Sequence, residues 1–277
     1  MADNENLDAE SIDNKKKIKL SEPDIISDVG RAKDEDIIAQ EDRIQNEIKE
    51  NTGLIGAKED LSSLLEQYAD DEVYQQKIRE LRGRYHHVRK SRPDGNCFFR
   101  SFGYAYMEYL LSDKEELHRF KEIALKSKDE LVSLGFPTFT IEEFHETFME
   151  VIDQVETHPS IEDIQMTFND QSTSDYIVVY LRLLTSGQLQ KQADFYASFI
   201  EGNRTVREFC HQEVEPMAKE SDHIHIIALS SKLQVGVRVV YLDRGSTEKA
   251  NQHDFPDDWE PKMTLLYRPG HYDILYA

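Results

Sequence analysis

Cysteine is scarce in this chain: Cys97 and Cys210 are the only two, far apart and in unlike settings. A disulfide framework needs more thiols and an oxidising compartment, so none is expected. Positive charge is scarce too. Lys and Arg total 33 against 54 Asp and Glu, a formal net charge of −21, which argues against a phosphate-backbone partner such as nucleic acid. The acidic balance suits a protein that meets basic surfaces, and it equally serves solubility. No apolar run approaches the roughly 18 residues of a membrane span, and the first residues carry neither a basic nor an apolar signal region. No Gly-rich phosphate loop and no His or Cys companions at metal-ligand spacing are present, so neither cofactor nor metal is expected. The expected setting is the reducing cytosol, with the basic run Lys15–Lys19 as a candidate nuclear address.

What is present divides the chain. Residues 1–33 are charged and almost without aromatics, too polar to offset the entropy of ordering, and read as an acidic tail. From residue 34, Ile37, Ile38, Ile44 and Ile48 recur at roughly helical spacing, predicting an amphipathic helix that ends before Gly53. It either docks on the domain or serves as a partner-binding arm. Residues 61–68 and 70–81 predict two further short helices, so 34–84 forms an N-terminal helical arm. Residues 104–111, 114–134 and 141–155 also read as helices, with Gly135 and Pro137 as punctuation. Ser172-Thr173-Ser174 supplies capping oxygens for a helix through Leu184 that stops near Gly187, and Thr205 opens one ending around 214–217. After that the texture predicts strands at 224–229, 235–242, 263–267 and 272–276, with 245–259 as a polar loop. On that reading His223 and His225 alternate along a strand and are structural. Helices first and strands late predict an α+β domain, helices around a small, mostly antiparallel sheet.

Two stretches can carry chemistry. In Arg92-Pro93-Asp94-Gly95-Asn96-Cys97 the four residues after Arg92 are turn formers, and the aromatic run from Phe98 fits a buried helix. Cys97 therefore stands at a helix N-terminus, where unpaired N–H groups favour a thiolate and can receive an oxyanion. In Arg268-Pro269-Gly270-His271-Tyr272-Asp273 a turn delivers His271 to the start of a strand. The two-residue repeat then puts Asp273 on the face of His271, with Tyr272 and Ile274 directed into the core. A thiol, an imidazole and an orienting carboxylate are the set that acyl transfer needs. Spacing alone leaves other readings open: a cysteine before a helix is often a small buried residue, and a histidine at a strand start is often structural. Cys210, beside Phe209 in an expected helix, reads as a core thiol.

The stretches RPDGNCFFR (92–100), FNDQSTSDYIVVYLRLLTSG (168–187), FIE (199–201), RTV (204–206), EVEPM (213–217), ESDHIHIIAL (220–229) and LLYRPGHYDILY (265–276) together resemble the otubains, ovarian-tumour-domain deubiquitinating enzymes. The resemblance spans residues 85–277, the expected catalytic domain. It implies a papain-like fold in which Cys97 attacks an isopeptide carbonyl, His271 is the general base and Asp273 orients it. It also brings Asp94 into the catalytic set, either shaping the oxyanion loop through its backbone or capping the helix. The implied partners are ubiquitin and polyubiquitin chains, with preference for the degradation-marking (K-48 type) linkage, and ubiquitin-conjugating (E2) enzymes, restrained without cleavage. Implied ubiquitin contacts are Phe195, Ile200 and Phe255, together with Ile37 and Ile44 on the N-terminal helix. The implied E2 surface includes Phe136 and Thr140, where the family pattern FTxFTIEDF stands here as FPTFTIEEF.

Overall fold

The computed structural model describes Gln40 and residues 52–245 and 249–277. The expected tail and the helix carrying Ile37, Ile38, Ile44 and Ile48 lie outside the described residues. By contacts the chain forms two units, 1–46 and 47–277. The expected boundary at Tyr85 falls inside the second.

Within that unit the elements follow in chain order. Strand β1 (Ile55–Asp60) precedes helices α1 (Ser63–Gln67) and α2 (Glu72–Leu81), and β2 (His87–Ser91) leads to the long buried helix α3 (Cys97–Leu110). Helices α4 (Lys114–Ser133), α5 (Thr138–Thr157), α6 (Ile161–Asn169) and α7 (Gln171–Lys191) follow. Then come α8 (Ala193–Tyr196), a 3₁₀ turn, and α9 (Val206–Phe209), which continues as a π-helical segment (Cys210–Val214). Helix α10 (His223–Leu233) precedes the last strands, β3 (Gly236–Tyr241), β4 (Asn251–Phe255), β5 (Pro261–Arg268) and β6 (His271–Tyr276).

The six strands form one sheet in the order β1-β2-β6-β5-β3-β4, antiparallel throughout except for the parallel pair β3 and β5. Both faces are covered. Helices α1 and α2 put Leu64, Tyr74, Ile78 and Leu81 against Val88, Val240, Leu266 and Leu275. On the other side Phe98, Phe102, Tyr106 and Leu110 of α3 pack with Val237, Leu265, Tyr272 and Ile274, and the helical bundle closes behind them. The alternation along β6 follows the pleat: Tyr272 and Ile274 face α3 while Leu275 faces α2.

Caps explain several boundaries. Asp71, Asp113, Ser160 and Asp170 each accept a backbone N–H from the first turn of the helix they open. Thr205 and Glu208 form a reciprocal capping box on α9.

The structure corrects three expectations. Residues 224–229 are helix, not strand. A short apolar run fits either state by periodicity alone, and burial on nearly every side removes the polar face that would mark an amphipathic helix. His223 and His225 are therefore helical neighbours: His223 Nε2 meets the Tyr241 hydroxyl at 2.8 Å, and His225 Nδ1 accepts the Asp222 N–H at 3.0 Å. Helix α7 does not stop at Gly187 but runs through it, because the missing side chain lets Leu131 pack closely; a Cβ there would lie 2.6 Å from Leu131 Cδ2. The polar loop 245–259 contains β4, an edge strand whose Asn251, Gln252 and His253 are exposed in succession, on both faces.

Candidate active site

The turn before α3 is fixed by its own polar groups. Asp94 donates its N–H to the Arg92 carbonyl at 3.0 Å, and its Oδ1 accepts the Asn96 N–H at 3.0 Å. The same carboxylate meets the wholly buried Arg100 guanidinium, 2.9 Å from Nη1. Arg100 in turn donates from Nε to Ser174 Oγ at 3.1 Å on α7. The N-cap position of α3 is Asn96, whose side chain makes no capping bond to the helix. Asp94 thus acts on the turn, tying it to the helix one turn ahead and to α7. Gly95 is required here for two reasons. Its φ is +75°, and a Cβ would stand 2.3 Å from the Ala218 carbonyl oxygen.

Cys97 is the first residue of α3, so its N–H has no intrahelical acceptor. It is 4% exposed. His271, at the start of β6, is 8% exposed. Its Nε2 lies 2.7 Å from Asp273 Oδ1, on the same face of the strand. That leaves Nδ1 for the thiol. Nδ1 is buried without an aligned hydrogen bond, yet Cys97 is close enough to act on the ring. The pair is in place but loose, as catalytic hydrogen bonds often are before substrate tightens them.

Electrostatics set the ionic states. Burial pulls the His271 pKa down, but the Asp273 hydrogen bond, then Cys97, outweigh it, and the imidazole is raised to about 9. Burial pushes the Asp273 carboxyl up, and the His271 hydrogen bond, the Arg268 charge and the Ser91 N–H overcome that, leaving it below its ordinary value. Both oxygens of Asp273 are engaged: Oδ1 also accepts the Ser91 N–H at 3.0 Å, and Oδ2 meets Arg268 Nη2. Arg268 continues to the Tyr68 hydroxyl at 3.3 Å, linking the site to the α1–α2 layer. Cys210 has the opposite environment: wholly buried, its thiol is pushed up to about 11, and it stays protonated.

Arg268, Ser91 and Arg100 are positioning residues that sequence reasoning did not single out. Arg100 and Arg268 sit inside the motifs already noted; for Arg100 the available signal is a charged residue directly after the buried Phe98 and Phe99. A cleft of about 610 Å3 opens beside His271, lined by Tyr68, Tyr74, Lys90, Pro93, Arg268 and Pro269 among others.

The remaining expected residues lie away from this centre. Phe195 is 56% exposed, and its ring is 5.5 Å from that of Phe199, which is 54% exposed. Ile200 is half-buried nearby, while Phe255 is half-buried at the end of β4 with its ring 5.8 Å from His223. Phe136 and Thr140 line a separate cleft of about 380 Å3 with Leu134, Pro137 and Arg207. Phe139, beside it, is 83% exposed. Ile37 and Ile44 lie outside the described residues.

A thiol at a helix N-terminus, an imidazole held by a buried carboxylate and free N–H groups at the same turn define a cysteine hydrolase of the papain type. The chain belongs to the Peptidase C65 Otubain family, whose profile matches residues 47–277. It is 59% identical over 246 residues to human ubiquitin thioesterase OTUB1, covering 88% of this chain and 91% of that protein. It is 44% identical over 245 residues to the Arabidopsis thaliana ovarian tumor domain-containing deubiquitinating enzyme 1, covering 80% of each. Among solved structures, h/ceOTUB1 in complex with ubiquitin aldehyde and UBCH5B~Ub superposes with a TM-score of 0.83 at 36% identity, covering 88% of this chain and 98% of that one. The corresponding complex with UBC13~Ub gives the same values.

Proposed function

We propose that this chain is a thiol-dependent deubiquitinase that hydrolyses ubiquitin–ubiquitin isopeptide bonds. The observation that carries the reading is Cys97 beside a His271–Asp273 pair in an otubain-family fold. With its proton transferred to His271, Cys97 Sγ attacks the isopeptide carbonyl carbon, and the carbonyl electron pair moves to oxygen beside the first N–H groups of α3. As the tetrahedral species collapses, the C–N bond breaks and His271 gives its proton to the leaving lysine amine. The resulting thioester is cleaved by a water whose proton passes to His271, releasing a carboxylate and restoring the thiol. Near-complete burial of Cys97 supports a slim, extended acyl donor, such as the glycine-ended tail of ubiquitin, over a folded peptide segment.

The solved complexes of h/ceOTUB1 with UBCH5B~Ub and UBC13~Ub support a second role, binding of ubiquitin-conjugating enzymes, and their restraint without cleavage rests on the family resemblance. The exposed Phe139 beside the Phe136–Thr140 cleft suits such a surface. Preference for the degradation-marking linkage rests on the family resemblance. The need for a reduced thiol fits action in the cytosol, with the nucleus also open to it.

Incubation with a panel of all di-ubiquitin linkages tests the reading. Wild type should cleave at least one linkage, the degradation-marking one fastest, and Cys97→Ser none. A wild type inert on every linkage would refute the enzymatic reading, and equal rates on all would remove the linkage preference.

A further inference from the structure

Arg182 lies on α7, wholly buried, and among the described residues no carboxylate pairs with it directly. Its guanidinium instead gathers four oxygens. Nη1 donates to the Val214 carbonyl at 3.0 Å; Nη2 is 2.9 Å from the Gly95 carbonyl, 2.9 Å from Asn96 Oδ1 and 2.8 Å from the Lys219 carbonyl. The plane sits over the Phe99 ring, 4.6 Å from its centroid. Asn96 Oδ1 also accepts the Ala218 N–H at 2.8 Å. One cation therefore holds together the turn that carries the nucleophile and the segment 214–219, with Ala218 in a left-handed conformation at φ 61° against Gly95.

This arrangement is costly as packing. A buried cation without a paired carboxylate is unfavourable, and Arg182 Nε is left without a hydrogen bond. A hydrophobic side chain of similar volume would serve the core better. What only a fork of donors can do is fix several carbonyls at once. Two of those oxygens belong to the residues immediately before Cys97, so the direction of the first α3 N–H groups depends on them. Burial lowers the Arg182 pKa to about 10, against the nearby Asp94 charge, which still leaves it charged at neutral pH.

We infer that Arg182 is a positioning residue for the deubiquitinase reaction: through the Gly95 carbonyl and Asn96 it sets the orientation of the backbone donors that meet the oxyanion. The inference rests on the isopeptidase reading above. Misplacing such donors weakens binding of the transition state and leaves ground-state ubiquitin binding untouched.

The test uses the full chain with Arg182→Lys, which keeps charge but loses the fork, and Asn96→Ala, which removes one shared acceptor. kcat and KM are measured on di-ubiquitin, with affinities for ubiquitin aldehyde, which forms a tetrahedral adduct, and for plain ubiquitin. Both variants should lose roughly 10- to 100-fold in kcat, with KM and ubiquitin affinity within about twofold and aldehyde affinity falling in step with kcat. A purely structural role would lower the melting temperature and leave kcat and aldehyde affinity of the folded protein at wild-type values. If Arg182→Lys does not fold, Asn96→Ala decides alone. Either folded variant turning over at the wild-type rate overturns the inference. Wild type that cleaves no di-ubiquitin sinks the isopeptidase reading instead.

Discussion

At His271 burial and partner groups compete, and the partners win. The ring is raised from its ordinary value near 6.5 to about 9, so it remains an imidazolium beside Cys97 through neutral pH. Activity should therefore fall on the alkaline side near pH 9, where the proton needed by the leaving amine is lost. Asp273→Asn removes the carboxylate that supports the imidazolium. It should cut kcat by at least about 100-fold and move the alkaline limb toward ordinary histidine values. Cleavage rates of di-ubiquitin across pH check both, and an Asn variant with an unmoved limb contradicts the assignment. The same shift enters stability. Folding raises this pKa, so its stabilising contribution is complete below about pH 6.5 and is lost as pH climbs through about 9. The stability gap between wild type and His271→Gln, read from urea melts, should narrow over that window. A gap of constant size would show that the raised pKa does not belong to the folded protein. Asp273 has the opposite sign: its contribution is present above the ordinary carboxylate value and is lost as pH falls through its lower folded value.

At the scale of elements, the site is the meeting of a helix start and a strand start. The Pro93–Asn96 turn needs its glycine. Gly95→Ala would force a β-carbon against the Ala218 carbonyl at a positive φ. The turn must shift, and kcat should drop by roughly 100-fold while the melting temperature falls only modestly. Steady-state kinetics beside a thermal melt separate the two, and unchanged kcat would mean that the turn does not set the nucleophile. The motif residues were legible because each carries its own local chemistry: turn formers before Cys97, a turn before His271, and a two-residue repeat joining His271 to Asp273. Asp273 and His271 share a strand, so their contact needs no tertiary knowledge. Arg182 and Asn96 are far apart in the chain, and nothing local in the α7 sequence marks a guanidinium aimed at the nucleophile's turn. Helix α10 is hidden from pattern reading for a related reason. Its run of isoleucines satisfies a strand as well as a helix, and only the surrounding burial decides. The edge strands β1 and β4 are short and polar, features that suppress edge-to-edge pairing and hide a strand from pattern reading alike.

For the whole molecule, residues 47–277 hold the entire catalytic arrangement and the full span of the family match. The preceding acidic and amphipathic segment is the sequence-based candidate for partner binding. Deleting residues 1–46 should leave modification by an electrophilic ubiquitin probe within about threefold of wild type and abolish suppression of chain assembly by a ubiquitin-charged conjugating enzyme. Cys97→Ser in the full chain should still suppress assembly. Equal suppression by the truncated protein would place the restraint in the 47–277 unit alone. The two cysteines give the central claim its sharpest test, because their environments differ so much. Cys97 stands at a helix N-terminus beside His271, whereas Cys210 is buried with its thiol held protonated. The most direct measurement is mass spectrometry of the protein after reaction with that electrophilic ubiquitin probe. The account predicts one adduct, mapped to the peptide containing Cys97, present in Cys210→Ser and absent in Cys97→Ser; an adduct on any other residue, or one that survives in Cys97→Ser, would contradict it.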